Sequence, residues 1–244
     1  MAHTEQAISL GTKESDFLQP SKWVTSWAHL IQKCPTLVGQ DTTEILDLAC
    51  GTGRHMKWLY EQGFSVLGVD IDEDSLNKCR AFGQVLQFDL EQDAIESFDE
   101  SNLRNFGAQS KQSLTPKMNA SESNSNANLN SKSIPWPLEG QHFNGVIVTN
   151  YLWRPLWPHI LGSLGVNGVL IYETFSEGNE TVGRPRRPEF LLRTGELLEI
   201  CSNLRIVAFE EVFLEAPSRF VQRIVAVKAS KEVSKPWIYR ATSR

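Results

Sequence analysis

Three aspartates in the first part of the chain, Asp47, Asp70 and Asp89, lie at the ends of successive apolar runs. A carboxylate in such a place can pair with an ammonium group or accept hydrogen bonds from hydroxyl and amino groups. Gly51 and Gly53 follow the first acid, and glycine lets a ligand approach the backbone closely because it has no Cβ. Together, the acids and the glycine turn indicate a binding site for a nucleoside cofactor.

The stretch around Asp47 predicts a strand, a tight turn and a helix. Residues 45–48 are large and apolar apart from the aspartate, as expected of a buried strand. After the glycines, Met56, Trp58 and Leu59 recur at roughly helical spacing. We expect His55, at the start of this helix, to face away from the ligand. The stretch is therefore predicted to form the first strand, turn and helix of a nucleoside-binding sheet.

Two kinds of nucleoside cofactor use this architecture, the dinucleotides and S-adenosylmethionine. A dinucleotide site has the pattern Gly-x-Gly-x-x-Gly, in which the third glycine lets the helix pack closely on the strand. Met56 stands three residues after Gly53, at the position of that third glycine. The carboxylate of Asp47 suits the ammonium group of a methionine moiety and has no partner in a pyrophosphate. The sequence thus predicts S-adenosylmethionine as the cofactor.

The second and third acids are predicted to hold the rest of the nucleoside. Asp70 lies 19 positions after Gly51, close to the offset at which an acid at the next strand end binds ribose hydroxyls. Ile71 would cover one face of the adenine. Asp89 would accept from the adenine amino group while the backbone of Leu90 donates to a ring nitrogen. The alternatives are that Asp70 caps a helix and that Asp89 is an ordinary acid at a strand end.

The acceptor of the transferred group is predicted to lie at the end of a fourth strand, residues 143–149. Ligands of open α/β sheets bind at the carboxyl ends of the central strands, where Asn150 and Tyr151 follow. We predict that both residues act in catalysis, Asn150 also touching the cofactor and Tyr151 packing on the substrate. The alternative is that Asn150 caps the next helix, which Pro155 is expected to start.

Arginines follow the fourth and fifth strands. Arg154 comes shortly after Tyr151, and the loop 176–189 contains Arg184 among several glycines and prolines. Such a loop at the ligand crevice is typical of a substrate lid, and guanidinium groups match carboxylate, phosphate or oxyanion groups. We therefore predict that Arg154 and Arg184 bind an anionic substrate. The alternative is that the loop arginines are surface charges that pair with neighbouring glutamates.

Composition narrows the class of protein. The 244 residues carry a net charge of −5, which provides no general attraction for nucleic acid. The four cysteines are scattered without the spacing of a zinc or redox motif, and neither a signal peptide nor a membrane span is visible. We predict a cytoplasmic protein with one domain over residues 1–244. A polar insertion at about 100–133 has a composition that cannot bury enough apolar area to fold by itself.

The remaining patterns complete an α/β fold. A helix is expected from Ser21 as its cap, another begins near Phe190 with Thr194 as a possible cap, and a hairpin is formed by runs 204–214 and 220–228. With the four earlier strands and a fifth at 168–174, the prediction is a Rossmann-like, seven-stranded and mostly parallel sheet. Its C-terminal hairpin is antiparallel, and helices cover both faces.

The chain resembles the class I S-adenosylmethionine-dependent methyltransferases over nearly its whole length. Residues 45–53 match their first motif, with Ala49 where the first glycine usually stands. Residues 66–72, 89–90 and 146–155 are similar to the second, third and fourth motifs. Within that superfamily, the amino-acid sequence around the fourth and fifth strands is similar to that of the tellurite-resistance and thiopurine methyltransferase group.

The resemblance implies direct transfer of a methyl group from the sulfonium to a nucleophile, with no metal. It implies that Ala49, Gly51 and Gly53 form the turn beneath the methionine moiety, and that Asn150 and Tyr151 border the transfer site. In this family, a last strand placed antiparallel beside its predecessor distinguishes the sheet from the all-parallel dinucleotide fold. Because the sulfonium is already activated, the reaction needs mainly alignment and exclusion of water.

Three functions remain open from the sequence. The first is methylation of a small molecule with an anionic or soft nucleophilic group, by a monomer or weak homodimer. The second is methylation of RNA or protein, favoured by a net charge of +4 over residues 178–244. The third is a scaffold that binds the cofactor without catalysis, and the intact acids at 47, 70 and 89 argue against it.

Overall fold

The computed structural model describes residues 19–33, 44–91 and 136–230. These form one seven-stranded sheet with the strand order β3-β2-β1-β4-β5-β7-β6. The first five strands are parallel, and β7 is antiparallel to both of its neighbours. The strands are β1 (Ile45–Leu48), β2 (Val66–Asp70), β3 (Gln84–Gln87), β4 (Phe143–Thr149), β5 (Leu164–Phe175), β6 (Arg205–Glu215) and β7 (Ser218–Val227).

Helices cover both faces of this sheet. Side chains alternate between the faces of a strand, so that Ile45 and Leu46 of β1 belong to different apolar layers. The layer of Ile45 contains the first three helices, and the layer of Leu46 contains the last two. The helices are α1 (Lys22–Trp27), α2 (Arg54–Glu61), α3 (Glu73–Cys79), α4 (Trp157–Gly162) and α5 (Glu196–Ile200). The α/β fold predicted from the sequence is confirmed.

The C-terminal hairpin is inserted into the sheet in reverse order. The last strand, β7, lies between β5 and β6 and pairs with both, so β6 forms the edge. Because both of its edges are hydrogen-bonded, β7 has a buried apolar run from Ile224 to Val227. This antiparallel insertion is the feature that separates the methyltransferase sheet from the all-parallel dinucleotide fold.

One helix start differs from the prediction, and another agrees with it. Thr194 is not a cap, because Gly195 occupies the N-cap of α5 with φ of 72°. The side chain of Gln222 on β7 accepts from the Leu197 N–H at 3.2 Å and satisfies this helix start in place of a local cap. By contrast, Ser21 caps α1 as predicted, since its Oγ accepts from the Trp23 N–H at 3.1 Å.

Other sequence predictions concern residues outside these ranges. The polar insertion at about 100–133 lies outside the described residues, and the single domain over 1–244 stays a prediction. In the three described ranges, no helix has the length and apolar character needed to cross a membrane.

Candidate active site

The turn after β1 is built from left-handed residues. Ala49, Gly51 and Gly53 have φ of 53°, 53° and 80°. For a non-glycine residue such as Ala49, this conformation costs about 1–2 kcal/mol. Among the described residues, nothing lies within 4 Å of the place where a Cβ on Gly51 would stand, whereas one on Gly53 would meet the Cys79 sulfur at 2.6 Å. Gly51 therefore borders open space, and Gly53 lets α3 pack against the turn.

Asp47 is a buried carboxyl group with an unused oxygen. It is 1% exposed, and its Oδ2 has no hydrogen-bond partner within the described parts of the chain. Burial, followed by repulsion from Cys79, raises the pKa of Asp47 to about 8, although Arg54 opposes the shift. An ammonium group placed here would satisfy the free oxygen and favour the carboxylate. The residues present thus fit the methionine moiety of S-adenosylmethionine.

Asp70 joins the end of β2 to the glycine turn. Its Oδ2 accepts from the Gly51 N–H at 2.7 Å, and its Oδ1 accepts from the Asp72 N–H at 3.0 Å. A carboxylate oxygen can accept a second hydrogen bond, so both oxygens can still receive a ribose hydroxyl. Ile71 beside it is 60% exposed, as a side chain that is free to cover an adenine would be. The structure therefore brings Gly51, Asp70 and Ile71 together.

Asp89 and Tyr151 lie on the same side of the site. Asp89 Oδ1 accepts from the Glu91 N–H at 2.9 Å, and the side chain of Leu90 is buried. Burial and the nearby carboxylates of Glu91, Asp89 and Asp70 raise the pKa of Tyr151. The Tyr151 hydroxyl is itself buried without a hydrogen-bond partner in the described ranges. Tyr151 is thus near the acids predicted to hold the nucleoside.

Asn150 follows β4 in a left-handed conformation with φ of 55°. Its N–H donates to the Glu173 carbonyl oxygen at 2.9 Å, and its Oδ1 accepts from Arg219 Nη1 at 3.4 Å. It does not cap the next helical turn, where Trp153 occupies the N-cap. The alternative prediction of a capping role is therefore wrong, and the Asn150 amide is held at the end of β4.

A buried polar cluster beside Asn150 was not predicted from the sequence. Glu173 is 1% exposed and accepts from Ser21 Oγ at 3.1 Å, from Arg219 at 3.3 Å and from Arg223 at 3.3 Å. The one sequence feature that could have indicated this cluster is Glu173 itself, because it interrupts an otherwise apolar run near the end of β5. Arg223 also pairs with Glu210, so β6 and β7 both contribute to this cluster.

His55 faces into the same cluster, and the prediction that it faces away is wrong. Its Nε2 accepts from the Ser21 N–H at 3.1 Å, so the ring proton lies on Nδ1, 3.5 Å from Thr149 Oγ1. Burial, followed by the charge of Arg54, lowers the pKa of His55 to about 3. The physical reason is that the chain before α1 covers the start of α2, which puts a donor over the ring.

Arg54 completes the cover over the turn. It donates to Thr149 Oγ1 at 3.3 Å and to the Gln19 carbonyl oxygen at 3.4 Å. Its charge interacts with those of Glu173, Arg219 and Asp47, and burial lowers its pKa. The segment 19–21 is thereby fixed above the glycine turn, next to the end of β4.

The two arginines predicted to bind substrate differ in their surroundings. Arg154 donates to both carboxylate oxygens of Glu196, at 2.8 and 2.9 Å, and to the carbonyl oxygens of Glu189 and Leu191. These bonds favour a structural role for Arg154. Arg184 is exposed on the loop after β5 and has its side chain available for a ligand.

The comparison with protein families agrees with the site. A model described as "Methyltransferase domain" matches residues 45–107, beginning at the first residue of β1 and including the turn, Asp70 and Asp89. The matched residues include the first, second and third motifs. The insertion of β7 between β5 and β6 agrees with the sheet predicted from the sequence. Over residues 45–107, the chain is therefore similar to a methyltransferase domain. S-adenosylmethionine bound at this site would supply a methyl group for transfer.

Solved structures with a similar fold include several methyltransferases. TehB from Haemophilus influenzae is 15% identical with a TM-score of 0.49, over 76% of this chain and 57% of TehB. A SAM-dependent methyltransferase from Archaeoglobus fulgidus is 15% identical with a TM-score of 0.48, over 84% of this chain and 91% of that one.

Magnesium protoporphyrin IX methyltransferase from Synechocystis PCC 6803, solved with bound SAH, is 13% identical with a TM-score of 0.47. That match covers 77% of this chain and 74% of the other chain. The chain spans little more than half the length of TehB and most of the length of the other two proteins. A search of curated proteins found no match to the sequence.

Proposed function

We propose that this chain is an S-adenosylmethionine-dependent methyltransferase that acts on a small molecule with an anionic group close to its nucleophilic atom. The observation that carries the proposal is Arg219 on β7. Its side chain is 16% exposed, and its guanidinium contacts Glu173 and the side-chain oxygen of Asn150, at the carboxyl ends of β5 and β4. Its Nε–H is buried without a partner among the described residues. An anionic acceptor would satisfy that donor beside the predicted transfer site.

The charges around Arg219 support the same proposal. Three guanidinium groups, those of Arg54, Arg219 and Arg223, face the two carboxylates of Glu173 and Glu210. Asp47 adds little negative charge at neutral pH before the cofactor binds, because burial raises its pKa to about 8. This cluster therefore carries an excess of positive charge, which attracts an anion more strongly in a buried site than at a surface.

The chain's own residues would align the acceptor and exclude water. Arg219 holds the side-chain oxygen of Asn150 and so directs the amide nitrogen away from β7. Asp47, Asp70 and Asp89 are proposed to hold the methionine ammonium, the ribose and the adenine amine, in that order. His55 is not available as a base, since its Nε2 lone pair accepts from Ser21. An acceptor that is already anionic or soft needs no base.

RNA or protein is the second candidate acceptor, favoured by the charge of +4 over residues 178–244. Several of those positive charges are used inside the fold, since Arg193, Arg219 and Arg223 pair with glutamates. The positive charge that is left to bind a phosphate backbone is therefore smaller than the net charge of +4 suggests. Binding to transfer RNA that weakens steeply with salt would favour this candidate.

The test is transfer of labelled methyl from S-adenosylmethionine to a cell extract separated by size and by anion exchange. We expect label in a small-molecule fraction that an anion exchanger retains. Label confined to RNA or protein, or binding of cofactor with no transfer to any fraction, would overturn the proposal. An extract digested with nuclease and protease beforehand separates the small acceptor from fragments of larger ones.

A further inference from the structure

Two cysteines, Cys50 and Cys79, lie against each other beneath the glycine turn. The Cys79 sulfur lies 3.3 Å from the Gly51 carbonyl oxygen and 3.2 Å from that of Ser75, and the Cys50 sulfur lies 3.8 Å from the Gly51 carbonyl oxygen. Both side chains are buried in the apolar layer that contains α2 and α3. Two sulfur atoms therefore converge on one backbone oxygen of the turn.

The turn has little room to tolerate a movement of either sulfur. A Cβ on Gly53 would stand 2.6 Å from the Cys79 sulfur, and one on Gly68 would stand 2.9 Å from the Cys50 sulfur. On its other side, the turn is held by the bond from the Gly51 N–H to Asp70. A shift of the sulfurs is thus transmitted to Gly51, which links the thiol pair to the predicted ribose-binding acid.

We propose that Cys50 and Cys79 form an oxidation site at which a peroxide converts the two thiols to a disulfide and thereby weakens cofactor binding. One sulfur attacks the peroxide and becomes a sulfenic acid with release of water. The second sulfur then attacks the sulfenic sulfur, which forms the disulfide and releases a second water. Two thiols and one hydrogen peroxide thus give one disulfide and two waters, and two electrons pass from sulfur to oxygen.

Cys79 is the better first nucleophile. The hydrogen bond from Cys50 lowers the pKa of the Cys79 thiol, whereas the same bond and burial raise the pKa of Cys50. A disulfide brings the sulfurs to about 2.05 Å and removes the thiol protons that are within reach of the Gly51 oxygen. The resulting displacement of the turn should lower cofactor affinity at least about tenfold. This fold-change corresponds to the loss of one hydrogen bond to a charged group.

The experiment uses the full-length protein and does not require the acceptor to be known. Reduced protein is treated with hydrogen peroxide, free thiols are alkylated, and peptides are mapped by mass spectrometry. Binding of S-adenosylmethionine is measured by calorimetry before oxidation, after it, and after reduction with dithiothreitol. We expect a peptide linked through Cys50 and Cys79, a tenfold or greater loss of affinity, and recovery on reduction.

Cys79→Ser tests the assignment, and Cys201→Ser is the matched control because Cys201 is a buried cysteine at the end of α5. The first variant should keep its affinity in peroxide, and the second should lose it as the wild type does. If Cys79→Ser does not fold, Cys79→Ala replaces it. Two free thiols after peroxide treatment, a disulfide to Cys34, or a linked pair with unchanged affinity would each overturn the proposal.

Discussion

The carboxylate of Asp70 accepts the N–H of Gly51 at 2.7 Å, so the end of β2 holds the turn that follows β1. The same carboxylate accepts the N–H of Asp72 at 3.0 Å. The proposed ribose-binding acid is therefore fixed in place before any ligand arrives. Preorganisation of this kind lowers the entropy lost on binding.

Replacement of this acid should weaken cofactor binding. We expect Asp70→Asn to raise the Kd for S-adenosylmethionine by about 10- to 100-fold, the range for hydrogen bonds to a charged group. Calorimetry measures the change. Asp72→Asn is the matched control, because Asp72 is the neighbouring acid that caps α3. Equal losses in the two variants would argue against a ribose-binding role for Asp70.

Cofactor binding should release a proton from Asp47. Its pKa is raised to about 8 by burial, and pairing with an ammonium group would lower it again. Affinity should therefore increase as pH rises towards about 8, by up to about tenfold per pH unit, and level off above. Calorimetry in buffers of different ionisation enthalpy counts the proton, and Asp47→Asn should abolish its release. An affinity that is independent of pH would contradict this coupling.

His55 should make stability sensitive to acid. The folded pKa is about 3 against an ordinary value of 6.5, so the unfolded chain binds the extra proton between these values. The stabilising contribution of His55 is present above pH 6.5 and is lost as pH falls, by up to about 1.4 kcal/mol per pH unit.

Urea unfolding of wild type and His55→Gln at several pH values isolates this effect, since other groups cancel in the difference. The stability advantage of the wild type should shrink below pH 6.5. His29→Gln is the control substitution, because it removes a histidine at an exposed position. A constant advantage of the wild type over His55→Gln would show that His55 is not buried as a neutral ring.

Arg154 should affect stability more than substrate binding. Its pair with Glu196 is partly shielded, with the side chains 23% and 3% exposed. We expect Arg154→Gln to lower the free energy of unfolding by about 2 kcal/mol, less than the cost of breaking a fully buried pair. The acceptor KM should stay near that of the wild type. A raised KM with unchanged stability would instead support the substrate-binding role predicted from the sequence.

The sequence predicted the strands well where burial and local pattern agree. The fourth strand was expected at residues 143–149, the bounds that β4 has, because its apolar run is closed by polar residues at both ends. The glycine turn, the acids in the last residues of β1 and β2, and the acid just after β3 were visible for the same reason. Each is a short-range pattern in which the backbone conformation and the side-chain types favour the same local structure.

The polar cluster could not be predicted because its contacts are distant along the chain. Glu173 and Arg219 are 46 residues apart, and Ser21 and His55 are 34 residues apart. The orientation of His55 depends on a segment that packs over it, and helical spacing alone does not reveal that cover. The start of α5 shows the same limit, since Gln222 on β7 accepts the hydrogen bond from its first turn that was expected to go to Thr194.

The most direct test of the central claim is the effect of Arg219→Gln on methyl transfer to the acceptor isolated from the anionic fraction. We expect the acceptor KM to rise by about 10- to 100-fold, with the Kd for S-adenosylmethionine unchanged and partial recovery in Arg219→Lys, which keeps the charge. An unchanged acceptor KM, or a loss that falls on cofactor binding instead, would contradict the account of an anionic acceptor held by Arg219.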